Sequence, residues 1–133
     1  MAKVNPYQID QKEKYVVVND MFEVVSSLKN KKDISSFFLG LLTPSEALMV
    51  ARRIQVAKMI IDGHSYEEIR KKLGVGNSNI QQIDRWIHGD GEDFTNLIKS
   101  KVGKVDKKRK RNYNPESLLD KYPYHRLIRS LFE

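Results

Sequence analysis

The stretch SYEEIRKKLGVGNSNIQQIDRWI, residues 65–87, decides how this chain is read. Ser65 and Glu68 form a Ser-x-x-Glu capping box, which opens a short helix from Tyr66 to Leu73. Ile69 and Leu73 share its inner face, and Ile80, Ile83 and Ile87 repeat at helical spacing in a second helix. Gly74 and Gly76 between them permit a sharp hinge, because glycine enters backbone conformations closed to other residues. Two amphipathic helices hinged so closely have the spacing of a helix-turn-helix, whose second helix leaves the first steeply enough to enter a DNA major groove. Arg70 stands where many such motifs carry a small residue.

Working upstream, Thr43-Pro44-Ser45-Glu46 is a second capping box, with proline in the first turn where its missing N–H costs nothing. The helix it opens is expected to run to Asp62 and stop at Gly63. Ala47, Leu48, Val50, Ala51, Ile54, Ala57 and Ile61 cover one face, and Met49, Val56, Met59 and Ile60 extend the apolar surface. Only a narrow polar strip remains, near Arg52, Gln55 and Asp62. A helix apolar on most sides must be surrounded, either at the centre of a monomeric bundle or with a second subunit supplying part of the cover. Further upstream, Val18, Met21, Phe22, Val25 and Leu28 predict a helix from Tyr15 to Leu28. Asp33 is the expected cap of a short helix carrying Ile34, Phe37, Phe38 and Leu41 and ending near Gly40.

Downstream, Asp90 to Asp93 mark a turn, and Phe94, Leu97 and Ile98 predict one more short helix. Eight Lys or Arg between Lys99 and Arg111, against the single acid Asp106, account for the whole net charge of +7. This run reads as a solvated linker or arm that would add salt-dependent phosphate contacts beside a DNA-reading module. Its plainer reading is a solubilising linker. In the last segment Asn114-Pro115-Glu116 opens a helical pattern of Leu118, Leu119 and Tyr122 that Pro123 breaks, after which Leu127, Ile128 and Leu131 repeat at helical spacing. The organisation expected is therefore residues 1–98 as a helical dimerisation and DNA-binding domain with its helix-turn-helix at 65–88, a basic flexible arm at 99–113, and a short helical segment at 114–133. The fold class is all-α. With 133 residues there is room for one modest core, or for a subunit that completes its core in a dimer. Cysteine is absent, which removes disulfides, thiolate metal sites and cysteine nucleophiles. No apolar run is long enough to cross a bilayer and the N-terminus lacks a signal-peptide pattern, so a cytoplasmic, nucleoid-associated protein without membrane contact is expected.

Residue chemistry names the candidate contacts. At the start of the reading helix Asn77, Ser78 and Asn79 would face the groove, followed by Gln81, Gln82 and Arg85. Asn and Gln pair with adenine edges and Arg with guanine, each good pair contributing about 1–3 kcal/mol of discrimination. Asn77 is equally suited to capping the helix. The phosphate-contacting candidates are Arg53, Ser65, Arg70, Lys71 and Lys72, together with Lys107, Lys108, Arg109, Lys110 and Arg111 of the arm. The basic residues of the first helix have a plainer reading as a solvated face partly offset by Glu67 and Glu68.

The segment from Phe37 to His88 resembles the Trp repressor superfamily. The likeness is strongest at Leu42-Thr43-Pro44-x-Glu46, at Arg53, and at Leu73-Gly74-x-Gly76, and is closer to the YerC/YecD-like subgroup. It implies a Trp repressor-like helical bundle, an intertwined homodimer, and two reading heads on double-stranded DNA. In the family's repressor a tryptophan ring lies between two arginines. Arg53 matches the first, but Gln82 stands at the second, which removes a planar cation able to stack and to pair with a carboxylate. Trp86 replaces a serine near the ligand's amino group, so a vestigial pocket of Arg53, Gln82 and Trp86 is expected, with Trp86 either filling it or packing as a buried support for the helix end. No cofactor, metal or small-molecule effector is expected.

An enzyme is not expected: His64, His88 and His125 are far apart, and no carboxylate pair, phosphate loop or nucleophile motif is present. Two rival functions remain, a non-specific DNA- or RNA-binding protein led by its basic arm, and a dimeric adaptor holding another protein through residues 122–132.

Overall fold

The structure, a computed structural model, describes residues 3–109, with side chains as far as Gly103. The expected segment 114–133 and Lys110 and Arg111 lie outside the described residues. Six helices follow in order: α1 (Gln11–Ser27), α2 (Lys31–Leu41), α3 (Pro44–Ile61), α4 (Tyr66–Leu73), α5 (Asn77–Gly89) and α6 (Glu92–Arg109). The described residues are all-helical, and they are similar to the helical layout that the resemblance implies.

Local side-chain chemistry sets the boundaries. Thr43 Oγ1 accepts from the Glu46 amide at 3.2 Å and donates to Glu46 Oε1 at 2.9 Å. The glutamate thus closes the box on the hydroxyl instead of reaching the backbone amide. Ser65 repeats the arrangement, accepting from the Glu68 amide and facing Glu68 Oε1, both at 3.2 Å. The far end of α3 closes through His64 N–H to Met59 O and Gly63 N–H to Ile60 O, both at 3.0 Å, with Gly63 at φ +85°. This is the paired-bond helix stop that a left-handed glycine permits.

Four expectations are corrected. The first helix begins at Gln11, not Tyr15, because Gln11 to Lys14 are good helix formers that complete its first turn. The cap of α2 is Asn30, whose side chain accepts from the Asp33 amide at 2.9 Å; Asp33 lies inside the first turn, where its charge suits the positive helix end. The two glycines of the turn are not equivalent: Gly74 sits in the left-handed region at φ +67°, whereas Gly76 is extended at φ −71° and occupies the N-cap position of α5. Asn77 is accordingly the first residue of α5 and not its cap. Finally, the short helix expected around Phe94 continues as α6 through Arg109, so Lys99 to Arg109 are helical and not an irregular linker. Phe94, Ile98 and Val102 recur at helical spacing in the sequence, and lysine and arginine are themselves helix formers.

The core lies where α3, α4 and α5 meet. Val56, Ala57 and Met59 of α3 pack with Ile69 of α4 and with Ile80, Ile83 and Ile87 of α5, and Ile98 of α6 covers this cluster. Thr95 is buried with its hydroxyl 2.7 Å from the Ile87 carbonyl and 3.0 Å from that of Gly91, which holds the start of α6 to the end of α5. The apolar surface of α3 divides: Val56, Ala57 and Met59 near its C-terminal end are buried, while Leu48, Met49, Val50 and Ile54 before them are exposed. Neither α1 nor α2 has a buried residue, and Val16, Val17, Val18, Met21, Phe22 and Ile34 are exposed in the single chain.

The unequal glycines give a direct test. Adding a Cβ at either position meets nothing within 4 Å, so only backbone preference distinguishes them. Gly74→Ala is expected to lower unfolding free energy by about 1–2 kcal/mol in urea titrations. Gly76→Ser should leave it unchanged or raise it by a few tenths of a kcal/mol, roughly the advantage of serine over glycine at a helix cap.

Candidate nucleic-acid interface

The helix α5 has a dry side and a wet side. Ile80, Ile83 and Ile87 face the core, so at 3.6 residues per turn Ser78, Gln81 and Arg85 fall together on the opposite side, and all three are exposed. Asn77 and His88 flank this group on one side and Gln82 on the other. The six expected base-contacting residues therefore separate. Gln81 and Arg85 border a hollow of about 490 Å³ with Tyr66, Asp84 and His88. Asn79 and Gln82 instead line a cleft of about 630 Å³, shared with Arg52 and Arg53 of α3 and the backbone of the Gly74 to Gly76 turn.

The phosphate candidates separate too. Arg70, Lys71 and Lys72 are exposed along α4, and Lys71 Nζ lies 3.3 Å from Glu67. The Ser65 hydroxyl is engaged with Glu68 at the cap of α4. Arg53 joins the cleft. Lys107, Lys108 and Arg109 are placed on α6 by backbone alone.

Two histidine–carboxylate pairs frame the α4–α5 unit. His64 Nδ1 lies 2.7 Å from Glu68 Oε2, and this bond, with the Ser65 hydroxyl, holds the Glu68 carboxyl below the ordinary glutamate range. A depressed carboxylate stabilises the folded chain above its unfolded pKa and loses that effect as pH falls through the folded value, so this cap weakens in acid. At the other end, Tyr66 Oη donates to Asp84 Oδ2 at 2.6 Å, and Asp84 Oδ1 lies 3.0 Å from His88 Nδ1. Its bond to Asp84 raises the Tyr66 phenol above its usual value, reinforced by desolvation and by the carboxylate charge. Sequence reasoning passed over Asp84. Its spacing to His88 was visible as an i, i+4 pair, but the partner Tyr66 lies 18 residues away and is found only in three dimensions.

With this geometry in place, comparison with known proteins is decisive: the family described as Trp repressor protein matches residues 17–102. The chain belongs to that family. It is also similar to the uncharacterized protein YerC of Bacillus subtilis (strain 168), with 28% identity over 71 residues, covering 53% of this chain and 68% of YerC. No solved structure gives a significant match.

In this member of the Trp repressor family, Arg53 and Gln82 line one cleft. Trp86 does not line it. Its ring stacks edge-on against Phe94 of α6, with centroids 6.1 Å apart and planes at 76°, and it remains 47% exposed. In the single chain the indole packs on Phe94 at the α5–α6 junction, an arrangement favoured by the electrostatics of edge-to-face rings.

Proposed function

We propose that the protein is a sequence-specific double-stranded DNA-binding transcriptional regulator of the repressor type, in which α4 and α5 form a helix-turn-helix and α5 reads bases. The observation that carries this reading is the outward face of α5: Ser78, Gln81 and Arg85 stand together in solvent while the isoleucines opposite them anchor the helix. A polar, hydrogen-bonding stripe on a firmly held short helix suits a major groove. Arg70 and Lys72 beside it, with the lysines of α6, supply cations for phosphates, which orient the head without reading sequence.

The proposal includes a homodimer. Phe22 of α1 is 60% exposed and Met49 of α3 57%. Val16, Val17, Val18 and Met21 of α1, Ile34 of α2, and Leu48, Val50 and Ile54 of α3 are exposed as well, and apolar side chains left in solvent in this number call for cover. A second copy burying the same surface would pair two reading heads on half-sites about 10 base pairs apart. It also includes independence from tryptophan, because the cleft offers Arg53 but an amide, Gln82, where stacking needs a second cation. Such a regulator would work in the cytoplasm at the nucleoid; no described helix is long and apolar enough to cross a membrane.

Selection from random duplex DNA, followed by titration of single-base variants of the selected site, tests the reading. Arg85→Ala should lose about 1–3 kcal/mol on the selected site and relax preference at one base pair. Equal loss on every duplex would contradict the role given to Arg85. In sedimentation equilibrium the chain should run at twice its 15.5 kDa, and Phe22→Glu should run as a monomer. A wild-type monomer at high micromolar concentration would refute the dimer. Calorimetric titration with tryptophan should give no micromolar binding, and such binding would overturn the claim of effector independence.

A further inference from the structure

Asp84 is the one acid within α5, and it lies on the helix proposed to meet a polyanion. A carboxylate there repels phosphates, so its presence calls for a compensating role. Its side chain is 31% exposed, and both of its oxygens are engaged. Oδ2 accepts from Tyr66, the first residue of α4, at 2.6 Å, and His88 Nδ1, one turn further along α5, lies 3.0 Å both from Oδ1 and from the Asp84 backbone carbonyl. A short bond from a hydroxyl to a carboxylate is among the stronger and more directional contacts available to a protein. The phenol is shifted upward, so Tyr66 keeps its proton and remains the donor through the neutral range.

The apolar contacts between α4 and α5 cannot supply this direction. Ile69, Ile80 and Ile83 share one buried cluster, and burial of apolar surface favours close approach of the helices without a directional bond of its own. Rolling α5 swings Gln81 and Arg85, which border the same hollow as Asp84, across any base they face. Groups that recognise a ligand by hydrogen bonds need placement to about half an ångström.

We propose that Asp84 is a positioning residue for base recognition: tied to Tyr66 of α4 and braced by His88, it fixes the roll of α5 and so the place where Gln81 and Arg85 meet base edges. The inference rests on the DNA-reading proposal above.

The test uses the full chain, a duplex selected from a random pool, and a random-sequence duplex of equal length. Tyr66→Phe removes one oxygen and keeps the ring, so the helix retains its packing. Tyr66→Phe and Asp84→Ala should each reduce the preference for the selected duplex about tenfold, the scale of one recognition contact. Affinity of Tyr66→Phe for the random duplex should stay within about twofold of wild type, and Asp84→Ala, which also removes a charge that repels phosphates, should bind that duplex no more weakly than wild type. The double variant should lose no more than either single change, since both remove the same bond. Asp84→Asn, whose amide oxygen still accepts from Tyr66, should keep most of the preference. Equal losses on both duplexes, losses that multiply in the double variant, or unchanged preference in both single variants would each overturn the proposal. A wild-type chain with no preference among duplexes would instead remove the DNA-reading proposal itself, and this inference with it.

Discussion

The contact of Ile69 with Ile80 and Ile87 against Val56 is the constraint from which the other features follow. All four side chains are fully buried, and they come from three different helices. Burying a side chain of this size contributes about 1.5–3 kcal/mol, so the cluster suffices to hold α4 and α5, of eight and thirteen residues, which could not persist as isolated helices. Because the isoleucines occupy one side of α5, its polar residues fall on the outer side, toward solvent. The outward stripe, the hollow around Asp84 and the cleft around Arg53 are three sectors of the surface left over.

Hydrophobic contact of this kind sets distance and leaves orientation loose, and the polar contacts around it supply the missing direction. Tyr66 ties the start of α4 to the middle of α5, and Thr95 ties the start of α6 to the end of α5. Trp86 and Phe94 brace the same junction from the solvent side. The helix proposed to read bases is thereby held along its length, an arrangement suited to recognition that depends on fixed geometry.

What the sequence revealed follows from the range of the interactions involved. The limits of α4 and its cap, the cap of α3 and the inner isoleucines were legible because each is set within four residues. The cap of α2 was misplaced by three residues because Asn30 and Asp33 are both acceptable caps and only backbone geometry distinguishes them. The reach of α6 was missed because dense charge masked an apolar spacing that continues from Phe94 to Val102. In the candidate site, the residue types were legible and their grouping was not. Asn79 and Gln82 look like base readers when residues are counted from the turn, yet they border the cleft, because that side of α5 faces α3. The apolar surface of α3 was read as needing cover, and the single chain leaves Leu48, Met49, Val50 and Ile54 exposed.

Backbone amide chemical shifts recorded while a selected duplex is added to isotopically labelled protein test the central claim most directly. The account predicts that the largest changes fall on the exposed side of α5, at Ser78, Gln81 and Arg85, with smaller ones along α4 at Arg70 and Lys72. Changes confined to α1 and α2, or an α5 whose shifts do not move when the duplex is bound, would contradict it.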